Sequence, residues 1–258
     1  MSQPVLTVIG LPGLPLVRKG DDLGCLIHEA AVRSRTQLLD GDILVVSETV
    51  VSRAEGSVVR LDDVVPSAAA LKYATITGKD PRVVEVVLRQ SRRVVLARRG
   101  FMVCETLKGF VCANAGVDAS NNEAGYVSTL PEDPDRSARS IAASIKARCG
   151  VDVAVIISDS EGRPFRKGAI GVAVGVWGIS PIRSFIGIPD LFGRKLETTL
   201  VCTADMVCSA AALIMGEAAE GLPVVIVRGL KYEREGKISD VLYEEDAFMQ
   251  ELEGRRID

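Results

Sequence analysis

Val151-Asp152-Val153-Ala154-Val155-Ile156-Ile157, followed by Ser158-Asp159-Ser160-Glu161-Gly162-Arg163, is the stretch that sets the fold class. The first seven residues are almost continuously apolar. Continuous rather than alternating character marks a strand covered on both faces. A strand of this kind needs helices around it, so the class is mixed α/β. The polar cluster that follows places Asp159 where the strand is expected to end.

Working outward, the same reading gives strands over Val5–Ile9, Ile43–Val46, Arg93–Ala97, Phe101–Glu105, Gly109–Ala113, Ala169–Trp177 and Leu222–Val227. Helices are expected from Asp21-Asp22 to about Arg33, over the alanine-rich Pro66–Gly78, from Asp80-Pro81 to about Gln90, from Asp133-Pro134 to Ala147, and over Thr198–Met215. An aspartate before a helix satisfies free backbone N–H groups, and proline at the first helical position sacrifices no hydrogen bond. Ser47-Glu48-Thr49 closes a strand, and the acidic tail from Glu233 onward reads as a surface helix. Gly10-Leu11-Pro12-Gly13-Leu14-Pro15 is a shaped loop. The regular βαβ rhythm and glycine fingerprint of a Rossmann unit are missing, as is the GxxxxGK[ST] phosphate loop.

The 258 residues suffice for one large domain, or two interlocked subdomains, across 1–258. An apolar content of 47% excludes disorder. The net charge of −3, from 31 basic and 34 acidic residues, gives no reason to expect nucleic acid or a charged membrane surface as partner. Asp205 interrupts the longest apolar segment, so a core or interface helix is expected there and not a membrane span. No secretory leader is expected and no CxxC pair occurs, so Cys25, Cys104, Cys112, Cys149, Cys202 and Cys208 read as reduced, mostly buried thiols of a cytoplasmic protein. His28 is the single histidine, which excludes a histidine-rich zinc site.

The chemistry resides in acids and loops. Asn114-Ala115-Gly116-Val117-Asp118-Ala119-Ser120-Asn121 places Asp118 beside polar groups, and Glu217 follows the apolar helix before a glycine loop. Hard cations such as Mg²⁺ or Mn²⁺ take carboxylate and phosphate oxygens. From the residues alone, Asp118 and Asp159 serve equally well as loop or helix caps, and spacing does not bring the three acids together. Arg163, Arg166 and Lys167 suit phosphate or carboxylate groups, or else a solvated basic loop. The backbone of Met215–Leu222 can wrap a nucleotide.

At these residues the chain resembles the coenzyme F420-0:L-glutamate ligase family, also called F420 gamma-glutamyl ligase. The resemblance runs from Gly13-Leu14-Pro15-Leu16 to Val227-Arg228-Gly229. It is carried by Gly20-Asp21-Asp22-Leu23, Gly41-Asp42-Ile43-Leu44-Val45-Val46, Ser52-Arg53-Ala54-Glu55-Gly56, Val111 to Asn121, Asp190-Leu191-Phe192-Gly193-Arg194 and Leu213-Ile214-Met215-Gly216-Glu217.

The resemblance implies an unusual mixed α/β fold of two intertwined regions and a homodimer. It also implies GTP-dependent addition of L-glutamate to F420-0, with further gamma-linked glutamates as an extension. Asp118, Asp159, Ser160 and Glu217 are then the ligands of two divalent cations, with a monovalent cation as an optional addition. Leu14, Pro15, Leu16, Val17, Glu48, Thr49, Arg53, Asn121 and the loop Met215, Gly216, Glu217, Ala218, Ala219, Glu220, Gly221, Leu222 surround GTP. A fused flavin-reductase-like domain, found in some members, is not expected here. Three positions depart from the family's pattern: Glu48 replaces serine, Arg53 lysine and Ser160 threonine. Glu48 is expected to add a negative charge near the nucleotide, which opens GTP against ATP and the acceptor to question. Two other readings stay open: an amide ligase for a different small carboxylate, and a non-catalytic nucleotide-binding protein.

Overall fold

The computed structural model describes residues 3–163 and 166–243. Its centre is a five-stranded sheet in the order β1-β12-β2-β8-β9, formed by β1 (Thr7–Gly10), β12 (Val224–Arg228), β2 (Ile43–Ser47), β8 (Ala154–Arg163) and β9 (Arg166–Trp177). Only β2 and β8 run parallel; the other three pairings are antiparallel. The mixed α/β class expected from the sequence is therefore observed.

Strand alternation builds two cores. Leu44, Val46, Val155, Ile157 and Ile226 face one side, where α1 (Leu23–Arg33) and α5 (Pro134–Cys149) bring Ile27, Ala30, Ile141 and Ile145. Ile43, Val45, Ile156, Val225 and Val227 face the other, against Ala204, Val207, Cys208 and Ala211 of α6 (Thr203–Met215). Successive strand residues point to opposite faces, so an unbroken apolar run is what a sheet covered on both sides requires. Gly171 of β9 lets α6 approach closely: a Cβ there would sit 2.5 Å from the Cys208 carbonyl oxygen.

A second region lies between α2 (Glu48–Glu55) and α5. It holds the pair β3 (Val58–Arg60) and β7 (Tyr126–Ser128), the helices α3 (Ala68–Thr77) and α4 (Pro81–Arg89), and the sheet β4 (Ser91–Arg98), β5 (Phe101–Thr106) and β6 (Val111–Ala113). Its own core includes Val84, Val87, Met102, Cys104 and Val127. A final two-stranded arm, β10 (Ile182–Ser184) and β11 (Leu200–Cys202), precedes α6.

Several expectations need correction. Ser158 to Arg163 does not leave the sheet: β8 starts at Ala154 and continues through Asp159 to Arg163, held extended by β9. Asp159 is thus inside a strand, beyond the point where β2 ends at the Ser47–Ser158 pair. Ser47-Glu48-Thr49 ends β2 but also opens α2, a helix the sequence reading missed. The helix expected from Thr198 begins at Thr203, because Leu200–Cys202 pairs with β10. From Glu233 to Tyr243 the only helical element is a 3₁₀ turn over Ile238–Val241; the remainder of the expected tail helix falls outside the described residues. The cysteines are all free thiols, three of them buried. Among the described residues, no helix is long and apolar enough to cross a membrane.

Candidate functional site

The topology gathers loops at one edge of the main sheet. β1 ends where β12 begins, β12 begins where β2 ends, and β2 ends beside Ser158 of β8. The loop after β1, the start of α2 after β2 and the loop before β12 therefore share the carboxyl edge of the parallel pair. Ligands in α/β sheets bind at such edges, where neighbouring connections diverge. The second region adds Asp118 from its turn after β6.

These segments line one cleft of about 360 Å³. Its wall includes Leu14, Pro15, Leu16, Val17, Thr49, Arg53, Asp118, Asn121, Asp159 and Ser160, together with every residue from Met215 to Leu222. Of the metal and nucleotide residues expected from sequence, Glu48 alone does not line it. Glu48 is 3% exposed and sits one layer behind, at the start of α2.

Backbone strain and side-chain hydrogen bonds shape each contribution. Asn114 and Ala115 both have positive φ, 52° and 53°, and with Gly116 they form a left-handed turn leading to Asp118. Such backbone costs about 1 kcal/mol or more per non-glycine residue and persists only where surroundings enforce it. Asp118 and Ser128 exchange backbone hydrogen bonds of 3.1 and 2.8 Å. The Asp118 carboxylate also accepts from Ser120 N at 3.1 Å and from the Ser120 hydroxyl. Asp159 Oδ1 accepts from Ser160 N at 2.7 Å, and Ser160 Oγ donates to Glu217 Oε1 at 2.7 Å. Gly216 ends α6 at φ 74° and ψ −175°, a conformation reserved for glycine, and turns the chain toward Glu217.

The electrostatics are those of crowded acids. Burial, with the charges of Asp118 and Glu217, pushes the Asp159 carboxyl up to about 6. Glu161, two residues along β8, is pushed up to about 7 by burial and by Asp159 and Asp205. Burial and the neighbouring Asp159 and Asp118 raise Glu48 to about 8. Desolvation and like charge both favour the protonated form of a carboxyl. The donors Asp118, Asp159, Ser160 and Glu217 are all hard oxygens, which fits Mg²⁺ or Mn²⁺ and not a soft metal. Among the described residues, no three His, Cys, Asp or Glu side chains stand close enough to form a finished metal site.

The family profile described as F420-0:Gamma-glutamyl ligase matches residues 13–229. The chain belongs to the F420-0:gamma-glutamyl ligase family. It is 51% identical over 224 residues to the coenzyme F420:L-glutamate ligase of Methanothermobacter thermautotrophicus, covering 87% of this chain and 89% of that protein. It is 50% identical over 232 residues to the Methanopyrus kandleri protein of the same name, covering 90% of each. The Archaeoglobus fulgidus protein of that name is 42% identical over 239 residues, covering 93% of this chain and 94% of its own length. The family resemblance read from the sequence is therefore established.

For this ligase family member, the basic trio lies apart from the cleft. Arg163 is half-buried, Arg166 and Lys167 are exposed, and none of them lines the cleft wall. Arg163 is four residues beyond Asp159 along an extended strand, roughly 13 Å at the usual rise per residue. Its Nε is buried and has no hydrogen-bond partner among the described residues. Sequence reading also missed Asn122, whose side-chain amide donates to the carbonyls of Asp118 and Ser120 at 3.2 Å and to Ser128 Oγ at 3.1 Å. The Ser120-Asn121-Asn122 run was the available signal, since such residues bond local backbone in turns.

Proposed function

We propose that this chain is a GTP-dependent ligase that joins L-glutamate to the carboxylate of F420-0, with extension by further gamma-linked glutamates. The observation that carries this reading is the convergence, in one cleft, of segments far apart in sequence: Leu14–Val17, Thr49, Arg53, Asp118, Asn121, Asp159, Ser160 and Met215–Leu222. Relatives at 42–51% identity are named for F420 and L-glutamate.

A carboxylate resists attack by an amine, so it must first be activated. In this reading an F420-0 carboxylate oxygen attacks the γ-phosphorus of GTP, and the bond to the β-phosphate oxygen breaks. GDP leaves and an acyl phosphate forms. The glutamate nitrogen then attacks the acyl carbon, phosphate departs, and the amine gives up a proton as the amide forms. Asp118, Asp159, Ser160 and Glu217 are the residues that would hold two divalent cations, Mg²⁺ or Mn²⁺. Such cations neutralise phosphate charge and stabilise the transferring phosphoryl oxygens. Arg53 on α2 supplies a positive charge at the cleft wall, and the 216–222 loop offers backbone groups to the nucleotide. The reaction needs no protein nucleophile.

Homodimerisation belongs to the same reading. The arm between β10 and β11 carries Leu191 and Phe192, 99% and 97% exposed, and exposed apolar groups of this kind mark contact surfaces.

Mass spectrometry of F420-0 incubated with glutamate, a divalent cation and either GTP or ATP tests the proposal. One glutamate mass added, with GDP, is the expected result; a ladder reports extension. No product with F420-0, but product with another small carboxylate, would reassign the acceptor. Tight GTP binding without turnover on any acceptor would leave a binding protein.

A further inference from the structure

Glu48 is a buried acid whose hydrogen bonds can be counted. Its Oε1 lies 2.5 Å from Ser52 Oγ, and the same hydroxyl lies 2.7 Å from the carbonyl oxygen of Thr129. Ser52 is completely buried, and Glu48 nearly so. A serine hydroxyl has one hydrogen, and a carbonyl oxygen can only accept. If Glu48 were a carboxylate, one of these two short contacts would set lone pair against lone pair in a buried site. That is the costly case of an unmade hydrogen bond. A proton on Glu48 satisfies both contacts in series: Glu48 donates to Ser52 Oγ, and Ser52 Oγ donates to Thr129.

The surroundings agree with the count. Among the described residues, Asp159 on β8 and, less strongly, Asp118 on the turn from the second region are the charged groups that act on Glu48, both against its ionisation. On its own helix the only further polar contact is Thr49 Oγ1, 3.5 Å from Oε2. Neither Asp159 nor Asp118 is hydrogen-bonded to it.

We propose that Glu48 is a positioning residue of the cleft: a neutral carboxylic acid whose proton clamps α2 to the second region through Ser52 and the Thr129 carbonyl. The clamp has two consequences. Thr129 directly follows Ser128, whose backbone pairs with Asp118, so the chain of bonds fixes Asp118 against the Thr49 and Arg53 wall on α2. The neutral state also keeps a further negative charge from lying behind Asp118 and Asp159. The negative charge expected of Glu48 from the sequence is therefore absent. The clamp is a property of the folded chain, whatever the cleft binds.

Infrared difference spectroscopy of the full chain at pH 7, wild type minus Glu48→Gln, reads the proton directly. The expected result is the carbonyl stretch of a protonated carboxylic acid, present in the wild type and lost in the variant. A carboxylate band in its place would overturn the proposal. Mn²⁺ titration supplies the second arm. Glutamine keeps a donor for Ser52, so Glu48→Gln should hold Mn²⁺ within about twofold of wild type, while Ser52→Ala, which removes the bond to Thr129, weakens it by about tenfold. A loss in Glu48→Gln equal to that in Ser52→Ala would overturn the clamp. Should the wild type bind no Mn²⁺, the metal reading fails, and the infrared band alone decides whether Glu48 is neutral.

Discussion

Ser160 Oγ donates a 2.7 Å hydrogen bond to Glu217 Oε1, tying the middle of β8 to the loop that follows α6. Both side chains are exposed in the cleft. This bond is the direct link between the strand that carries Asp159 and the loop that carries Glu217. It sets two oxygen atoms side by side in the cleft wall.

Ser160→Ala should therefore loosen Glu217 without harming the fold. Mn²⁺ affinity is expected to fall about tenfold, as for other groups that orient a ligand. Stability should stay within about 0.5 kcal/mol, because the site is exposed. Calorimetric titration with Mn²⁺ and a thermal melt of the same sample check both halves. Unchanged affinity would remove Ser160 and its bond from the metal assignment.

The metal-free protein should lose stability as pH rises. Glu48, Asp159 and Glu161 are raised to about 8, 6 and 7, so the folded chain holds protons that the unfolded chain has already released. Where the folded state binds more protons, unfolding becomes easier with increasing pH. The window runs from the ordinary carboxylate range to about pH 8. Melting temperature in a chelator should drop by several °C between pH 5 and 8, a shift on the order of that caused by a few kcal/mol. Mn²⁺ should flatten the slope by supplying the missing positive charge. A melting temperature that rises over this window without metal would contradict the crowded-acid description.

Local signals were the legible ones. Asp22, Asp80 and Asp133 announce three helices, and each accepts from a backbone N–H in the first turn. The doubly covered strand around Ile156 was legible because both cores need its side chains. The extension of β8 through Ser-Asp-Ser-Glu-Gly was not: those residues have weak strand character, and β9 holds them extended by pairing across the hairpin. α2 escaped because it is only eight residues long and follows β2 with no intervening turn and no side-chain cap at Ser47, so its short apolar face of Val50, Val51 and Ala54 reads as a continuation of the strand. That Asp118, Asp159 and Glu217 line one cleft is a product of long-range topology, and spacing along the chain carries no trace of it. Only the likeness to a family brought them together in advance.

Gly216→Ala should distort the Met215–Leu222 loop, and with it the nucleotide binding proposed for that loop. Gly216 has φ 74° and ψ −175°, where a side chain costs about 1–3 kcal/mol. The new Cβ would also sit 2.2 Å from Glu220 Cδ, displacing a carboxylate that accepts from Ala218 N at 2.8 Å. Affinity for a fluorescent GTP analogue is expected to fall about tenfold, the equivalent of about 1.4 kcal/mol. The circular-dichroism spectrum should be retained, because α6 ends before this residue. Wild-type binding would separate the loop from the nucleotide site.

Asp159→Asn should move stability and activity in opposite directions. Asparagine keeps the oxygen that accepts from Ser160 N and removes the charge that burial, Asp118 and Glu217 all oppose. In a chelator at pH 8 the variant should melt at or above the wild-type temperature. Added Mn²⁺ should then stabilise the wild type and leave the variant nearly unmoved. Metal-dependent GDP release in the presence of acceptor and glutamate should fall at least about 100-fold, since a charged oxygen ligand is lost. The same substitution removes a charge that raises Glu48, so the infrared band of its protonated carboxyl should persist to a lower limiting pH than in the wild type. A variant with full activity would sink the metal role of Asp159. A variant that is inactive and also less stable without metal would mean that Asp159 supports the fold, and that its charge is not the cost described above.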